Sequence, residues 1–218
     1  MTLLYLLVLV HVAVAVQVST KSGKLKGDFI RNQFGSNYYA FRGIPYAKPM
    51  ISNISSKDAQ PIEMWNGVRD ATIGWRSQPN VTNERQELED CLYLTIYTRK
   101  IRRWLPPTMA HTYQTSPVEV YFQGCNINSK DNQTKSGTDN LPNDVVKVLI
   151  YHREIPSSSP GDKTKTDITT KDQLLALEWI KDNIVFFGGD PQRVAVFQGH
   201  SGLADIDINR LFNRANRT

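Results

Sequence analysis

The amino-acid sequence predicts an α/β domain that contains a parallel strand–helix–strand crossover. Apolar runs typical of strands lie at residues 92–97, 118–122, 145–151 and 194–197. Several of these runs are β-branched and apolar throughout, which is typical of strands buried on both faces of a sheet. The segment between the last two runs carries an apolar stripe at helical spacing, formed by Leu174, Leu177, Ile180 and Ile184. A strand, a helix and a strand in this order indicate a parallel crossover.

The predicted helix has recognisable ends. Thr170 and Gln173 fit a capping box at its start, and Gly188 and Gly189 can end it. Leu175 and Trp179 widen the apolar stripe. A parallel sheet places its ligand site at the carboxyl ends of its strands, so the stretch QGHSGL, which follows the last apolar run, is the candidate site.

Composition limits the classes of function. The chain has 218 residues, 40% hydrophobic residues and a net charge of +5, which suit one sizeable globular domain. A basic cluster at residues 99–103 lies beside Trp104, and we interpret it as a solvated loop rather than a nucleic-acid surface, because no nucleic-acid-binding motif accompanies it. No metal-ligand spacing or phosphate-binding glycine loop occurs, so we expect no metal and no cofactor.

The N-terminus resembles a secretory signal peptide. Residues 3–16 are apolar apart from His11, and Ala13 and Ala15 form an A-x-A cleavage signal. We therefore expect a signal peptide at residues 1–15, a secreted mature chain at residues 16–218 and no membrane anchor in it, because no second long apolar run follows. In an exported chain, N-glycosylation sequons can carry glycan. The sequons of this chain lie at Asn53, Asn80, Asn132 and Asn216.

Motifs along most of the mature chain resemble the N-terminal part of the type B carboxylesterase and cholinesterase family. The matching stretches are AFRGIPYAKP at residues 40–49, EDCLYLTIY at 89–97, PVEVYFQG at 117–124 and DQLLALEWIKDNIVFFGGDPQRVAVF at 172–197. The resemblance implies an α/β-hydrolase fold, here ending soon after the nucleophile elbow, the sharp turn that presents a catalytic serine at the end of a strand. It also implies acyl transfer by a serine, a histidine and an acid.

The elbow departs from the family pattern. Counted from Pro191 without a gap, the serine position falls on His200, and its leading glycine position falls on Gln198. If Ser201 is the nucleophile instead, the chain needs a one-residue insertion, and Leu203 then replaces a glycine that the turn requires. Gly202 is the glycine that follows the serine position in the ungapped alignment. Ser201 is thus expected to be a vestige of the nucleophile.

The oxyanion loop and the cysteines depart from the pattern as well. The family reads H-G-G-G after its strand, whereas this chain has Gln123, Gly124, Cys125 and Asn126. Gly124, Cys125 and Gly202 remain the candidate oxyanion-hole residues. The family pairs the cysteine of EDCL with one in an upstream C-x-Q pattern, where this chain has Arg76. The composition leaves open one bridge or two thiols, and the resemblance leads us to expect that Cys91 is not disulfide-bonded within the chain.

These departures favour a non-catalytic function. The histidines are His11, His111, His152 and His200, and none matches the catalytic position of the family. The first hypothesis is a secreted carboxylesterase-like protein that binds a protein or matrix partner, as adhesion and matrix members of the family do. The alternative is a serine esterase represented by an incomplete chain, and a third hypothesis is a degenerate truncated product. The last predicted strand would lie at an exposed sheet edge, through which the chain could self-associate.

Overall fold

A computed structural model describes residues 16–31, 35–48, 58–74, 91–101, 114–124, 144–153 and 163–198. These residues form a mixed sheet and one long helix. The strands are β1 Val16–Thr20, β2 Gly23–Arg31, β3 Asn37–Pro45, β4 Val68–Asp70, β5 Tyr93–Thr98, β6 Ser116–Gly124, β7 Val146–His152 and β8 Gly189–Gln198. The helix α1 is Lys163–Asn183, and a 3₁₀ turn, Ile184–Phe187, joins it to β8.

The strand order of the described sheet is β1-β2-β3-β5-β7-β6-β8, and β4 pairs with β2. The pairs from β1 to β7 are antiparallel in this order, whereas β6 is parallel to both β7 and β8. The chain therefore passes from β7 through α1 to β8 as the predicted parallel crossover. The predicted strands at 92–97, 118–122 and 145–151 are confirmed with ends shifted by one or two residues, and the strand predicted at 194–197 is the end of a longer strand that begins at Gly189.

The main core lies between the sheet and α1. Alternate residues of β6 and β7, among them Val118, Val120 and Val148, are fully buried against the helix. On α1 the fully buried apolar residues are Ala176, Leu177 and Ile180. Each buried apolar side chain contributes about 1.5–3 kcal/mol, so this layer stabilises the described domain.

Two details of the predicted helix are wrong. The helix begins at Lys163, so Thr170 lies inside it and not at its N-cap. The chain from residue 163 to residue 170 contains no glycine or proline that would stop the helix from beginning earlier. Leu174 is only half-buried, because the side of the helix that meets the sheet runs through Gln173, Leu177 and Ile180.

The end of the helix follows the prediction. Gly188 has φ 79° in the left-handed region, and its N–H donates to the carbonyl of Val185 at 3.2 Å. A glycine adopts this conformation without steric cost. Gly189 lets the backbone lie close to the side chains of Ile184 and Val118. A Cβ at this position would lie 2.6 Å from Ile184 Cγ1 and 2.8 Å from Val118 Cγ2. The two glycines therefore turn the chain from α1 directly into β8.

The second face of the sheet carries a smaller cluster rich in tyrosine. It contains Tyr38, Ala40, Cys91, Tyr93, Tyr97, Leu149 and Tyr151, all of them buried. Tyr121 packs against this cluster, and its ring stacks on Phe197 of β8 with centroids 4.9 Å apart. Phe197 is 43% exposed, so this face of the sheet is less buried at β8. We call the seven buried residues of the cluster the tyrosine face.

An ion pair ties α1 to the end of β7. Arg153 Nε donates to Asp172 Oδ2 at 2.7 Å, and Arg153 Nη2 donates to Asp172 Oδ1 at 2.5 Å. The side chains are 6% and 0% exposed. A bidentate guanidinium–carboxylate pair has the geometry that offsets part of the desolvation of both charges.

We predict that the variant Asp172→Asn is less stable by about 3–5 kcal/mol, because it removes the buried carboxylate charge to which the Arg153 guanidinium is hydrogen-bonded. Asp182→Asn is the matched control on the same helix. Asp182 pairs with Lys21 at 2.8 Å, but both side chains are more than half exposed, so its loss should cost less than about 1 kcal/mol. Urea unfolding measures both, and equal losses would contradict the prediction.

Candidate functional site

The candidate site lies at the edge of the sheet where β6, β7 and β8 end. Gly124 is the last residue of β6 and pairs in register with His152, the last residue of β7. Gln198, the last residue of β8, pairs with Phe122. Since all three strands are parallel, the chain leaves the sheet on the same side after each of them.

The ladder between β6 and β8 is regular close to this edge. The Cα partners run without a shift from Val118↔Val194 to Phe122↔Gln198, and the irregularity of the pair lies earlier, between Ser116 and Val118. A residue inserted within this part of β8 would appear as a bulge. An insertion that could move Ser201 into the serine position therefore lies outside the segment from Val194 to Gln198.

His152 is fully buried at the end of β7, with both ring nitrogens close to polar atoms. Nδ1 lies 3.1 Å from the carbonyl oxygen of Arg153, and Nε2 lies 3.3 Å from Gln173 Nε2. The ring of Phe122 meets the imidazole edge-on at 5.9 Å between centroids. These contacts hold the imidazole in the structural core.

The position of His152 does not suit a general base for a nucleophile that follows β8. Neighbouring strands are about 4.8 Å apart, so β7 and β8, with β6 between them, are separated by roughly 10 Å. A general base must lie about 2.6–3.2 Å from the proton that it removes. His152 therefore acts as a structural residue in this arrangement.

Tyr46 is a further buried polar residue near His152. Its hydroxyl donates to the carbonyl of Tyr151 at 2.8 Å, and the side chain is 1% exposed. Burial raises the pKa of Tyr46 well above its usual value, and the nearby Asp172 raises it further, while Arg153 acts in the opposite direction. This hydroxyl stays a hydrogen-bond donor over the physiological range of pH.

Most of the site residues predicted from the sequence lie outside the described residues. Gly124 is described, at the half-buried end of β6. The others, for which the structure provides no test, are Cys125, His200, Ser201, Gly202 and the sequon residues Asn53, Asn80, Asn132 and Asn216. Within the described ranges no group of three His, Cys, Asp or Glu side chains could hold a metal ion.

The prediction for Cys91 is wrong. Cys91 is fully buried in the tyrosine face and is disulfide-bonded. The sequence contains 2 cysteines, and the other, Cys125, lies outside the described residues. The expectation relied on the missing cysteine at the upstream position occupied by Arg76, although the composition had left one bridge open.

Sequence reasoning also missed the buried polar group formed by Tyr46, His152, Arg153, Asp172 and Gln173. One signal was present, because Asp172 and Gln173 lie beside the apolar stripe of α1 and share its helical phase. Polar residues at such positions are buried and need partners. The partners themselves, on β7 and after β3, could be found only from the register of the sheet.

Comparison with known proteins agrees with this geometry. The model of the carboxylesterase family matches residues 14–216. The chain belongs to the carboxylesterase family. Esterase E4 of Myzus persicae is 32% identical over 218 aligned residues, which include 91% of this chain and 38% of the esterase. The acetylcholinesterase of Danio rerio is 29% identical over 229 aligned residues, which include 91% of this chain and 34% of the acetylcholinesterase.

The fold is the α/β-hydrolase fold of this family. A crystal structure of a carboxylesterase from Geobacillus stearothermophilus superposes with a TM-score of 0.56 at 28% identity, covering 84% of this chain and 37% of that chain. The chain therefore spans between a third and two fifths of the length of the carboxylesterases that it matches. Among the described residues, no helix is long and apolar enough to cross a membrane.

We predict that, above about pH 10, the pKa of tyrosine in an unfolded chain, the free energy of unfolding of Tyr46→Phe depends less on pH than that of the parent chain. In the folded carboxylesterase domain the pKa of Tyr46 is raised, so the neutral hydroxyl contributes stability below about pH 10, and this stability is lost as the pH rises further. The variant should also lose about 1 kcal/mol at neutral pH with its hydrogen bond. Urea unfolding between about pH 7 and pH 11 checks both effects, and equal slopes above pH 10 would contradict the first.

Proposed function

We propose that this carboxylesterase-family chain is a secreted protein that does not hydrolyse esters and acts by binding a protein or matrix partner. The observation that carries the proposal is the regular ladder from Val194 to Gln198. Counted from Pro191 without a gap, the family spacing assigns the leading glycine position to Gln198 and the serine position to His200, and the unshifted ladder from Val194 to Gln198 supports an ungapped count in that part of β8. Both substitutions act against a working elbow.

The chemistry of the elbow explains why these substitutions matter. The turn is strained, and small flanking residues let the strand and the following helix approach each other closely. A glutamine or a leucine in place of a glycine is hard to accommodate there. An imidazole at the serine position cannot form the usual acyl-enzyme ester, and a displaced Ser201 without a base keeps a hydroxyl that is not ionised near neutral pH.

The candidate oxyanion loop supports the same proposal. Two successive glycines of the family correspond to Cys125 and Asn126, which follow Gly124 at the end of β6. Their side chains would crowd the approach of a substrate carbonyl to the backbone N–H groups. Loss of one oxyanion donor lowers turnover about 10²–10³-fold, so a poor loop and a poor elbow together would leave little catalysis.

The binding surface that we propose is the β8 side of the sheet. Within the described part of the chain, β8 pairs on one side with β6, and its residues Val194 and Val196 are half-buried whereas Ala195 and Phe197 are exposed. A parallel strand that is apolar on both faces is normally covered on both. An edge of this kind favours association with a partner or with a second copy of the chain.

A second candidate function is carboxylic-ester hydrolysis, as part of a longer polypeptide. The observation in its favour is that the similar proteins are esterases by name, among them esterase E4, and that the chain superposes on a carboxylesterase crystal structure with a TM-score of 0.56. Such an enzyme would need Ser201 on the elbow and a base and an acid from residues beyond this chain. A transcript that encodes a downstream histidine and acid would favour this alternative.

We predict that the purified chain has no esterase activity. The test combines a fluorophosphonate probe, which labels activated serines, with a simple aryl ester, and uses Ser201→Ala as the control. The expected result is no labelling and the same background hydrolysis for both proteins. Labelling at Ser201, or hydrolysis that Ser201→Ala abolishes, would overturn the proposal and favour the esterase.

A third variant, His200→Ser, refines this test, because it restores a serine at the position that the ungapped spacing assigns to the nucleophile. Triad losses lower turnover by about 10⁴–10⁶-fold, so this variant should also stay inactive without a base. Labelling of His200→Ser but not of the parent chain would show that position 200 occupies the elbow. Labelling of the parent chain alone would show that Ser201 occupies it.

We predict that expression in a secretory cell line gives a chain cleaved after Ala15 that carries glycan on at least one of Asn53, Asn80 and Asn132. Intact mass before and after glycosidase treatment measures both modifications. Replacement of the three asparagines by glutamine should abolish the mass difference. A protein retained in the cytosol with an unprocessed N-terminus would contradict the prediction.

A further inference from the structure

Asn66 and Gly67 form a short exposed link directly before β4. Both residues are exposed, and Gly67 has φ 78°. A Cβ built on Gly67 would meet no atom within 4 Å, so the space beside this residue is open. Within the described ranges, neither the Asn66 side chain nor the Gly67 N–H takes part in a hydrogen bond. No described hydrogen bond therefore holds the side-chain amide away from the backbone nitrogen that follows it.

The chain before this link is fixed by Trp65. The N–H of Trp65 donates to the carbonyl of Ser22 at 3.0 Å, and its indole Nε1 donates to the carbonyl of Lys24 at 3.0 Å. The ring packs so closely on Gly23 that a Cβ there would lie 2.5 Å from Trp65 Cε2. These contacts attach Trp65 to the hairpin of β1 and β2.

The chain after the link is fixed by β4. This strand lies parallel to residues 24–26 of β2. Directly after it, the N–H of Ala71 donates to the carbonyl of Lys26 at 2.8 Å, and the carbonyl of Ala71 accepts from the N–H of Arg42 at 2.7 Å. The link therefore joins two segments that are both attached to β2.

The link contains both groups that an intramolecular reaction needs. The Gly67 nitrogen can close a five-membered ring on Asn66 Cγ, and groups held close together in one chain react faster than the same groups free in solution. Glycine has no Cβ to obstruct the attack. The sequence contains no other Asn-Gly pair. This link is therefore the position of the chain at which such a ring closes with least obstruction.

We propose that Asn66 deamidates spontaneously, and that the isoaspartate formed there releases β4 from β2. The Gly67 nitrogen bonds to Asn66 Cγ, and its proton leaves with the amide group as ammonia. Water then opens the cyclic imide. Opening at Cγ gives aspartate, whereas opening at the backbone carbonyl carbon gives isoaspartate, in which the main chain runs through Cβ and Cγ. The proposal goes beyond the proposed function and does not rest on it.

The isoaspartate lengthens a link whose two ends are fixed. Its main chain has one more atom between Trp65 and Val68, which adds a bond of about 1.5 Å. Trp65 is held by two hydrogen bonds and a packed ring, whereas β4 has 3 residues, of which Val68 and Asp70 are exposed. The additional length therefore displaces β4 rather than Trp65. The new carboxylate also lowers the formal net charge of +5 by one.

The first experiment measures the conversion of Asn66 in the folded chain. The purified chain is incubated at mildly alkaline pH, which favours removal of the Gly67 N–H proton, and is then digested with trypsin. Cleavage after Lys57 and Arg69 releases residues 58–69 as one peptide. An isoaspartyl methyltransferase labels isoaspartate, and mass spectrometry measures aspartate and isoaspartate together. Digestion in heavy-oxygen water marks any conversion that occurs during digestion.

Two described asparagines serve as internal controls. Asn37 is the exposed first residue of β3 and precedes a tyrosine. Asn183 is buried, donates to the carbonyl of Trp179 at 2.9 Å and accepts from the N–H of Lys21 at 2.9 Å. We expect Asn66 to convert at least about tenfold faster than either, a difference of about 1.4 kcal/mol in activation free energy. A smaller ratio would overturn the proposal.

A synthetic peptide of residues 58–69 shows whether the fold protects the link. Because no described hydrogen bond restrains the link, the folded chain should convert at a rate within about tenfold of that of the peptide. A slower folded rate would count against the proposal. Asn66→Gln is the matched variant, since its side-chain amide would have to close a larger ring, and the methyltransferase signal of this peptide should disappear. A persisting signal would assign the isoaspartate to Asp58 instead.

Hydrogen exchange of residues 24–26 and 68–71 measures the release of β4. The deamidated chain is separated from the parent chain by its charge. Freshly purified Asn66→Asp is the control, because it carries the new carboxylate without the additional main-chain atom. We expect exchange in these residues to be about tenfold faster or more in the deamidated chain than in the control, with unchanged exchange at Val148 in the core. Equal exchange in both proteins would refute the release of β4.

Discussion

The buried ion pair between Arg153 and Asp172 is the constraint on which the described architecture depends. It joins the residue after β7 to the side of α1 that meets the sheet, and it fixes how the helix enters the crossover. The neighbouring polar groups of Tyr46, His152 and Gln173 are buried around it. A buried charge pair is stable only when its geometry is maintained, so the helix, β7 and the chain after β3 must adopt one arrangement together.

This buried polar group has a structural role in the carboxylesterase fold. It lies at the carboxyl ends of the strands, where a hydrolase positions its reacting groups, and its described hydrogen bonds join residues of the protein to one another. His152 illustrates this role, because its ring is enclosed between Phe122 and Gln173. The described interactions build this edge of the sheet, and we propose that the residues that would perform acyl transfer there differ from the family pattern.

The sequence predicted local features well and long-range ones poorly. The parallel crossover could be predicted because α1, β7 and β8 each carry a strong periodic pattern, and the elbow spacing could be counted from Pro191. The hairpin of β1 and β2 has a weaker pattern and was not predicted. The bonded state of Cys91 depends on which residues the fold brings to the tyrosine face, and the burial of Asp172 depends on the register of β7, so neither followed from spacing along the chain.

A double-mutant cycle on Arg153 and Asp172 tests the central claim most directly. The substitutions Arg153→Met and Asp172→Leu are made singly and together, and the free energy of unfolding is measured for each protein. If the pair is the constraint described, the double variant will be more stable than the sum of the single losses predicts, with a coupling energy of about 2–3 kcal/mol. Additive losses, with a coupling energy within about 0.5 kcal/mol of zero, would contradict the account.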